Sequence, residues 1–177
     1  WVYLINIINF TDGSDGFLAT NSLSFFMGTV AFTIITNNIN IIFYISLSFI
    51  PILLSYLYFN KPQAKIFMGD SGSIIIGFSI AFIFFNLIKL GYWDVALGLL
   101  SYTILDCSLT IFNKIRKGHL PWARLFDYYF LIPIMKDKNN QKKVFLLNLV
   151  CNSIILFITI FQIFLDLKIL FILSFTV

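Results

Sequence analysis

Two short acidic segments stand between long apolar runs and carry residue types that bind metal ions and phosphates. Residues 9–16 read Asn-Phe-Thr-Asp-Gly-Ser-Asp-Gly, and residues 67–73 read Phe-Met-Gly-Asp-Ser-Gly-Ser. All eight acidic residues of the chain are Asp, and three of them lie in these two segments. Mg²⁺ prefers carboxylate and phosphate oxygens, and glycine lets the backbone approach a ligand closely. The pattern predicts a metal and phosphate site at a membrane surface.

Each segment also has a purely structural interpretation. Asp-Gly pairs are common in turns, so residues 9–16 are equally compatible with a solvated helix cap. In the second segment, Asp70 either holds Mg²⁺ or caps the following helix, a role open to Ser71 as well. The free N–H groups and positive dipole end of that helix also suit phosphate. A capping carboxylate keeps a second oxygen, so the two roles are compatible.

The composition indicates an all-α, multispanning transmembrane helix bundle. The chain is 59% hydrophobic and 11% charged, with a mean hydropathy of +0.92, whereas soluble domains carry roughly 25% charged residues. Membrane topology explains the net charge of +4 without any nucleic-acid partner. Cys107 and Cys151 lie in apolar runs, so we expect neither a disulfide nor a metal site from them.

The spacing of apolar runs predicts five full membrane spans, because a spanning helix needs about 20 apolar residues. Residues 1–8 resemble the end of an earlier span, and 167–177 the start of a later one. We therefore expect a single integral-membrane domain, truncated at its N-terminus and also at its C-terminus. The five predicted spans are about 17–37, 41–58, 73–90, 93–112 and 145–165.

The basic residues predict which side the acidic segments face. Only Lys89 and Lys168 fall on the opposite side, which leaves ten of the twelve basic residues on the side of the acidic segments. By the positive-inside rule, that side is the cytoplasm. Asp94 and Asp166 fall outside, whereas the other six Asp residues lie on or near the cytoplasmic face. The ten basic residues are Lys61, Lys65, Lys114, Arg116, Lys117, Arg124, Lys136, Lys138, Lys142 and Lys143.

The loop after the fourth span holds further candidates. Its basic residues in 114–129 suit a diphosphate or lipid phosphate, or else anchor the loop by the positive-inside rule beside a Trp/Tyr belt. His119, the only histidine, cannot form a zinc site alone and is a candidate base. Residues 136–143 favour a contact with anionic lipids. Asp106, near the end of the fourth span, is either functional or solvated at headgroup level.

The two acidic segments together resemble the signatures of a known enzyme family. Residues 9–19 are similar to the Asn-x-x-Asp-Gly-x-Asp-Gly-Leu-Ala signature of polyprenyl-phosphate N-acetylhexosamine-1-phosphate transferases. Residues 60–73 resemble the second signature of that family. Residues 104–106, followed by 114–118, resemble its Asp before a basic loop, and the likeness covers about residues 1–130. These enzymes initiate O-antigen, enterobacterial common antigen, teichoic acid and peptidoglycan lipid intermediates.

The resemblance implies a reaction, its cofactor and its setting. A polyprenyl phosphate, typically undecaprenyl phosphate, attacks the sugar-linked phosphorus of a UDP-N-acetylaminosugar, and UMP leaves. All reactants are polyanions, so Mg²⁺, with Mn²⁺ as the alternative, would neutralise the diphosphate. The setting would be the lipid bilayer of the bacterial inner (plasma) membrane, with a multi-pass chain, cytoplasmic active-site loops and a homodimer as one arrangement.

The resemblance also assigns roles to individual residues. The catalytic set would be Asp70 as the metal ligand, with Asn9 and Asp12 near metal and phosphates. The remaining assignments concern the nucleotide and the sugar diphosphate. Gly13, Ser14 and Asp15 would border the uridine with Phe67 stacked on uracil, and Arg116, Lys117, His119 and Arg124 would approach the diphosphate or sugar.

Two departures from the family pattern and two rival functions complete the expectations. The chain has no Asp-Asp pair, which relatives carry on an earlier loop, so we expect these 177 residues alone to be inactive. Asp127 stands where relatives have His, which argues against the phospho-N-acetylmuramoyl-pentapeptide branch.

A transporter or channel would instead place carboxylates near span centres, and a scaffold would need no Asp-Gly pairs. The clustering of Asp at one face favours the transferase.

Overall fold

The computed structural model describes residues 1–120 and 129–165, which are helical with no strand in those ranges. The helices are α1 (Val2–Phe10), α2 (Phe17–Ile35), α3 (Ile41–Asn60), α4 (Gly69–Lys89), α5 (Trp93–Arg116), α6 (Ile132–Lys136) and α7 (Gln141–Leu165). Five of them, α2, α3, α4, α5 and α7, are long and apolar enough to cross a membrane by length and composition. This confirms the predicted all-α multispanning bundle.

The helices extend beyond the predicted apolar spans, chiefly at three ends. α4 begins at Gly69 instead of 73, α5 continues to Arg116 instead of 112, and α7 begins at Gln141 instead of 145. Hydropathy detects only the apolar part of a helix, whereas its backbone hydrogen bonds continue through polar residues. Asp70 therefore lies in the first turn of α4, not in a loop. The expected span over 167–177 lies outside the described residues.

Helix α2 lies at the centre of the bundle, with 72% of its apolar window buried. It packs antiparallel to α3 and parallel to α7, which places Phe26 face to face with Phe49 at 4.8 Å between ring centroids. Thr20, Asn21 and Ser24, polar residues in its first turns, are all buried. They face other helices rather than headgroups, so the helix starts at Phe17.

Three of the spanning helices are followed, two residues after their last residue, by a residue in the left-handed region, namely Asn37, Gly91 and Gly118. After α5, the N–H of His119 donates to the carbonyl of Lys114 at 2.9 Å. This is the hydrogen-bond pattern of a helix stop that glycine or asparagine favours at the reversed position. Each helix therefore terminates at a locally encoded point.

Both acidic segments lie at one end of the bundle, which we call the motif end and define by residues 11–16, 61–68 and 117–120. Helices α1 and α4 run antiparallel at this end, and a Cβ on Gly77 of α4 would lie 3.1 Å from Cα of Ile5. This close approach fixes how α1 sits on α4. Among the residues that the structure covers, Lys89 alone of the basic residues lies at the opposite end.

Candidate active site

The two acidic segments meet through a hydrogen bond between residues 57 positions apart. The N–H of Gly69 donates to Oδ2 of Asp12 at 3.0 Å. Gly69 has φ of +66°, a conformation that glycine adopts without strain, and nothing lies within 4 Å of where a Cβ would stand. The sequence interpretation that Asp70 or Ser71 caps α4 is wrong, because neither side chain caps it. Asp12 supplies the acceptor from another segment and leaves Asp70 exposed.

A second contact ties the end of α1 to the first turn of α4. The hydroxyl of Ser73 hydrogen-bonds to Oδ1 of Asn9 and lies 3.0 Å from the carbonyl oxygen of Gly69. Ser73 is fully buried, so water does not compete for this contact. Asn9, Asp12 and Asp70 are therefore gathered at one corner of the motif end, as the sequence predicts by topology.

The electrostatics of this corner suit a cation. Partial burial raises the pKa of Asp12, the Gly69 N–H opposes that effect, and the nearby Asp70 carboxylate raises it further. The hydroxyl of Tyr56, a residue of α3, lies beside Asp12. Two neighbouring carboxylates repel each other, and a divalent cation would relieve this repulsion. We call Asp12 and Asp70 the acidic pair.

The donor set of the acidic pair fits Mg²⁺. Within residues 1–120 and 129–165, no group of three His, Cys, Asp or Glu side chains converges on one point. Mg²⁺ is commonly held by one or two carboxylates and completed by water and substrate phosphate oxygens. Two carboxylates at the mouth of a bundle, one of them exposed, match that arrangement, whereas Zn²⁺ would require more protein ligands.

Asp15 is used by the protein itself. Its Oδ2 accepts the N–H groups of Gln63 at 3.1 Å and Ala64 at 3.0 Å, and its side chain is only 7% exposed. Gln63 adopts φ of +74°, which is unusual for a residue with a side chain. The carboxylate therefore fixes the loop over residues 61–68, which leads directly to Phe67 and Asp70.

Asn60 is a site residue for which the sequence predicts no role. Its Oδ1 accepts the N–H of Gly16 at 2.8 Å, and its amide donates to the carbonyl of Ile66 at 2.8 Å. The side chain is 2% exposed. The available signal was an amide at the end of an apolar helix, two residues before a proline. Asn60 and Asp15 together bind the first segment to the loop of the second.

The comparison with known proteins covers this same part of the chain. Residues 1–88 match glycosyl transferase family 4, a range that includes both acidic segments and nearly all of α4. The chain belongs to glycosyl transferase family 4. The resemblance drawn from the two signatures is thereby confirmed. No solved structure matches the chain.

Relatives in this family carry two kinds of name. The chain is 43% identical over 86 residues to a phospho-N-acetylmuramoyl-pentapeptide-transferase of Leuconostoc citreum, covering 46% of the chain and 26% of the relative. It is 31% identical over 120 residues to a probable undecaprenyl-phosphate N-acetylglucosaminyl 1-phosphate transferase of Bacillus subtilis, covering 65% and 33%. It is 32% identical over 131 residues to a phospho-N-acetylmuramoyl-pentapeptide-transferase of Chlorobium phaeobacteroides, covering 64% and 36%. The chain thus spans about a quarter to a third of these relatives.

The residues predicted to border a nucleotide in this family 4 chain lie along the first segment and the loop after α3. Gly13 is exposed, Ser14 and Asp15 are buried, and Phe67 leaves 66% of its surface exposed. The open ring of Phe67 is free to stack on a planar base, and the buried carboxylate of Asp15 fixes the loop that carries it. The nucleotide contacts themselves stay a prediction.

The residues predicted to approach the diphosphate lie at and beyond the end of α5. Arg116, Lys117 and His119 are exposed at the motif end. Their placement satisfies the topology that the prediction requires, and their contacts with a ligand stay a prediction. Arg124, Asp127 and the rest of 121–128 lie outside the described residues.

The groups around Asp106 lie in α5 and in the segment before α6. The Asp106 carboxyl contacts the backbone of Phe130 and lies near Tyr102, in an aromatic cluster with Phe17. Because α5 extends to Arg116, Asp106 lies farther from the helix end than the sequence suggested. Asp106 therefore connects α5 to the segment before α6.

Both cysteines are free, and the Cys107 thiol lies 3.9 Å from the carbonyl oxygen of Ile7.

Proposed function

We propose that the protein transfers a sugar 1-phosphate from a UDP-N-acetylaminosugar to a membrane polyprenyl phosphate, such as undecaprenyl phosphate. An oxygen of the lipid phosphate forms a bond to the sugar-linked phosphorus, the bond from that phosphorus to the bridging oxygen breaks, and UMP leaves. The observation that carries this proposal is the hydrogen bond from Gly69 to Asp12, which brings two family signatures together beside Asp70. Both kinds of relative have names that fit such a transfer.

The acidic pair supplies the metal ligands in this proposal. Asp70 is exposed and would bind Mg²⁺ or Mn²⁺ directly, with Asp12 on its other side. The bound ion would neutralise the diphosphate and stabilise negative charge on departing UMP. Asn9, held by Ser73, would orient the phosphates, because its amide keeps two N–H donors beyond the oxygen that Ser73 contacts.

The loop over residues 61–68 supplies the nucleotide end of the site. Phe67 would stack on uracil, and Gly13 and Ser14 would border the ribose or base. Asp15 would act here by fixing the loop, since its carboxylate accepts two backbone N–H groups. Aromatic stacking is worth roughly 1–3 kcal/mol per base in single-stranded nucleic-acid sites, which sets the scale for Phe67.

The basic residues after α5 supply the sugar-diphosphate end. Arg116, Lys117, His119 and Arg124 would approach the diphosphate or sugar, because charge-assisted hydrogen bonds to phosphate are the strongest available to these side chains. The motif end would face the cytoplasm of a bacterial plasma membrane, as the distribution of basic residues indicates. The product would be the lipid-linked sugar that starts a cell-envelope polysaccharide.

UMP release tests the proposal. Membranes that contain the native protein would receive polyprenyl phosphate, Mg²⁺ and either UDP-N-acetylglucosamine or UDP-N-acetylmuramoyl-pentapeptide. We expect release with one donor, its loss in EDTA, and its recovery with Mg²⁺ or Mn²⁺. The productive donor decides between the two kinds of relative. Folded protein that is silent with both donors and with a wider panel of UDP-aminosugars would overturn the transferase and favour an ion-coupled transporter.

A further inference from the structure

A pocket separate from the acidic pair opens at the motif end, beside the end of α3. Its volume is about 240 Å³, which is smaller than the roughly 300–1,000 Å³ of sites for drug-sized ligands. It suits a compact group such as a phosphate with its ester substituent. We call it the lysine pocket. It is lined by Tyr58, Phe59, Lys61, Pro62, Gln63 and Lys65.

The lining of the lysine pocket is cationic and aromatic. The Lys61 ammonium lies 4.9 Å from the centroid of the Tyr58 ring, so the ring holds this charge at the pocket wall. Lys61 and Lys65 are both exposed, and neither is paired with a carboxylate among the residues described here. Two unneutralised ammonium groups on one small concave surface favour an anion.

The backbone around the lysine pocket is fixed before any ligand arrives. The N–H of Lys65 donates to the carbonyl of Phe59 at 2.9 Å, which closes the loop onto α3. Asp15 holds the N–H groups of Gln63 and Ala64 from the other side. A preorganised loop loses little conformational entropy on binding, so the lysine side chains are the main groups left to order.

The position of the lysine pocket points to a ligand within the membrane. Only 17% of the apolar window of α3 is buried, the smallest share among the five spanning helices, so this helix forms a lipid-facing flank. Tyr58 and Phe59, in its last turn, are 67% and 45% exposed. Aromatic and basic residues at a helix end mark the headgroup level of a bilayer. The pocket therefore opens beside lipid phosphates.

We propose that the lysine pocket binds the phosphate group of an anionic lipid in the adjoining leaflet. A phosphodiester or phosphomonoester would lie between Lys61 and Lys65, with its acyl or prenyl chain along the exposed side of α3. This binding does not require transferase activity. It gives the loop of the second family signature a fixed attachment to the membrane surface, through residues that precede Phe67.

Lipid binding to the purified native protein tests this proposal. Native mass spectrometry would measure binding of phosphatidylglycerol and phosphatidylcholine to the wild type and to the Lys61→Gln/Lys65→Gln variant. A basic residue near an anionic surface contributes about a fivefold change in affinity, so we expect phosphatidylglycerol to bind about 25-fold more weakly to the double variant. Phosphatidylcholine binding should not change, and thermal unfolding would confirm that both exposed substitutions leave the fold intact.

The control is Lys89→Gln, which removes an exposed lysine at the opposite end of the bundle, outside the lysine pocket. We expect this control to lose less than threefold. An equal loss in the control and the pocket variant, or no loss in the pocket variant, would overturn the pocket as a built site. Competition between phosphatidylglycerol, polyprenyl phosphate and inorganic phosphate identifies which ligand supplies the bound phosphate group. Selectively weaker binding of phosphatidylglycerol or of polyprenyl phosphate to the pocket variant supports the proposal. If no competitor displaces either lipid from the wild type and both lipids bind the variant unchanged, the proposal is refuted.

Discussion

Two polar regions of this apolar bundle differ in the charge and the exposure of their side chains. The acidic pair joins carboxylates from two segments and exposes one of them at the motif end. The second region, which we call the polar seam, lies between α2 and α7. There Nδ2 of Asn152 donates to Oδ1 of Asn21 at 2.6 Å and to Oδ1 of Asn148 at 2.8 Å, and Ser24 donates to the Asn152 carbonyl at 3.2 Å. All four residues are at least 94% buried.

Residues of the polar seam hold helices together, whereas residues of the acidic pair are placed to bind a ligand. The polar seam contains amides and hydroxyls without net charge, and its amides bond mainly to one another, as helix contacts in membranes commonly do. The acidic pair places two like charges side by side, which is unfavourable without a cation. We infer that the polar seam stabilises the fold and that the acidic pair lowers the stability of the fold when no cation is bound.

The largest effect should come from Asp70→Asn. We expect transfer to fall by about 10³-fold, near 4 kcal/mol of transition-state stabilisation, because the charged ligand proposed for the metal is lost. The midpoint temperature of thermal unfolding in EDTA should stay unchanged or rise slightly, since the repulsion with Asp12 disappears. Stabilisation by added Mg²⁺ should vanish. Asp137→Asn, an exposed carboxylate at the same end, is the control and should retain activity.

Gly16→Ala should cause the largest loss of stability, because Gly16 connects the two regions. Its φ is +72°, and a Cβ would lie 2.5 Å from Cε2 of Phe145 in α7. Backbone strain and overpacking together should cost about 3 kcal/mol, measured by unfolding in detergent.

Gly91→Ala provides the matched control for that substitution. Gly91 has φ of +89° but nothing within 4 Å of a Cβ, so it carries the strain without the collision and should lose only about 1–2 kcal/mol. Combining Gly16→Ala with Phe145→Leu should recover part of the loss. Equal destabilisation at Gly16 and Gly91 would show that the Phe145 contact is irrelevant.

Asn152→Ala should affect stability and leave catalysis per folded molecule intact. The substitution removes the donor shared by Asn21 and Asn148 and should cost about 1 kcal/mol, a typical value for hydrogen bonds between membrane helices. Ser153→Ala, on the exposed side of the same helix, is the control and should cost less. A drop in turnover of the folded Asn152 variant comparable to that of Asp70→Asn would abolish the distinction between the regions.

The smallest effect concerns pH. Burial, with a further contribution from Asp70, raises the pKa of Asp12 above its usual 3.8. The folded chain therefore retains this proton to higher pH than the unfolded chain, and stability should fall as pH rises through the window just above 3.8. In EDTA, thermal unfolding of the wild type should show this slope and Asp12→Asn should lack it. A parallel pH dependence in both proteins would contradict the assignment.

The site was predictable as a set of segments and unpredictable as a set of contacts. The signatures identified Asn9, Asp12 and Asp70, and the positions of the spans placed them at one end. The hydrogen bond from Gly69 to Asp12 joins residues 57 positions apart, and that from Gln63 to Asp15 joins residues 48 apart. Neither follows from local pattern, because each depends on how α1, α3 and α4 pack. Asn60 was missed for the same reason.

The sequence by itself determined the class of the protein, the number of long spans, the family signatures and the end of the bundle at which they lie. These follow from hydropathy and residue spacing, which are local properties of the chain. The tertiary structure decided which carboxylates bond to the backbone of the protein and which one remains exposed for a ligand. Asp15 and Asp12 accept backbone N–H groups, while Asp70 remains exposed, because only the packed helices bring those donors within hydrogen-bonding distance.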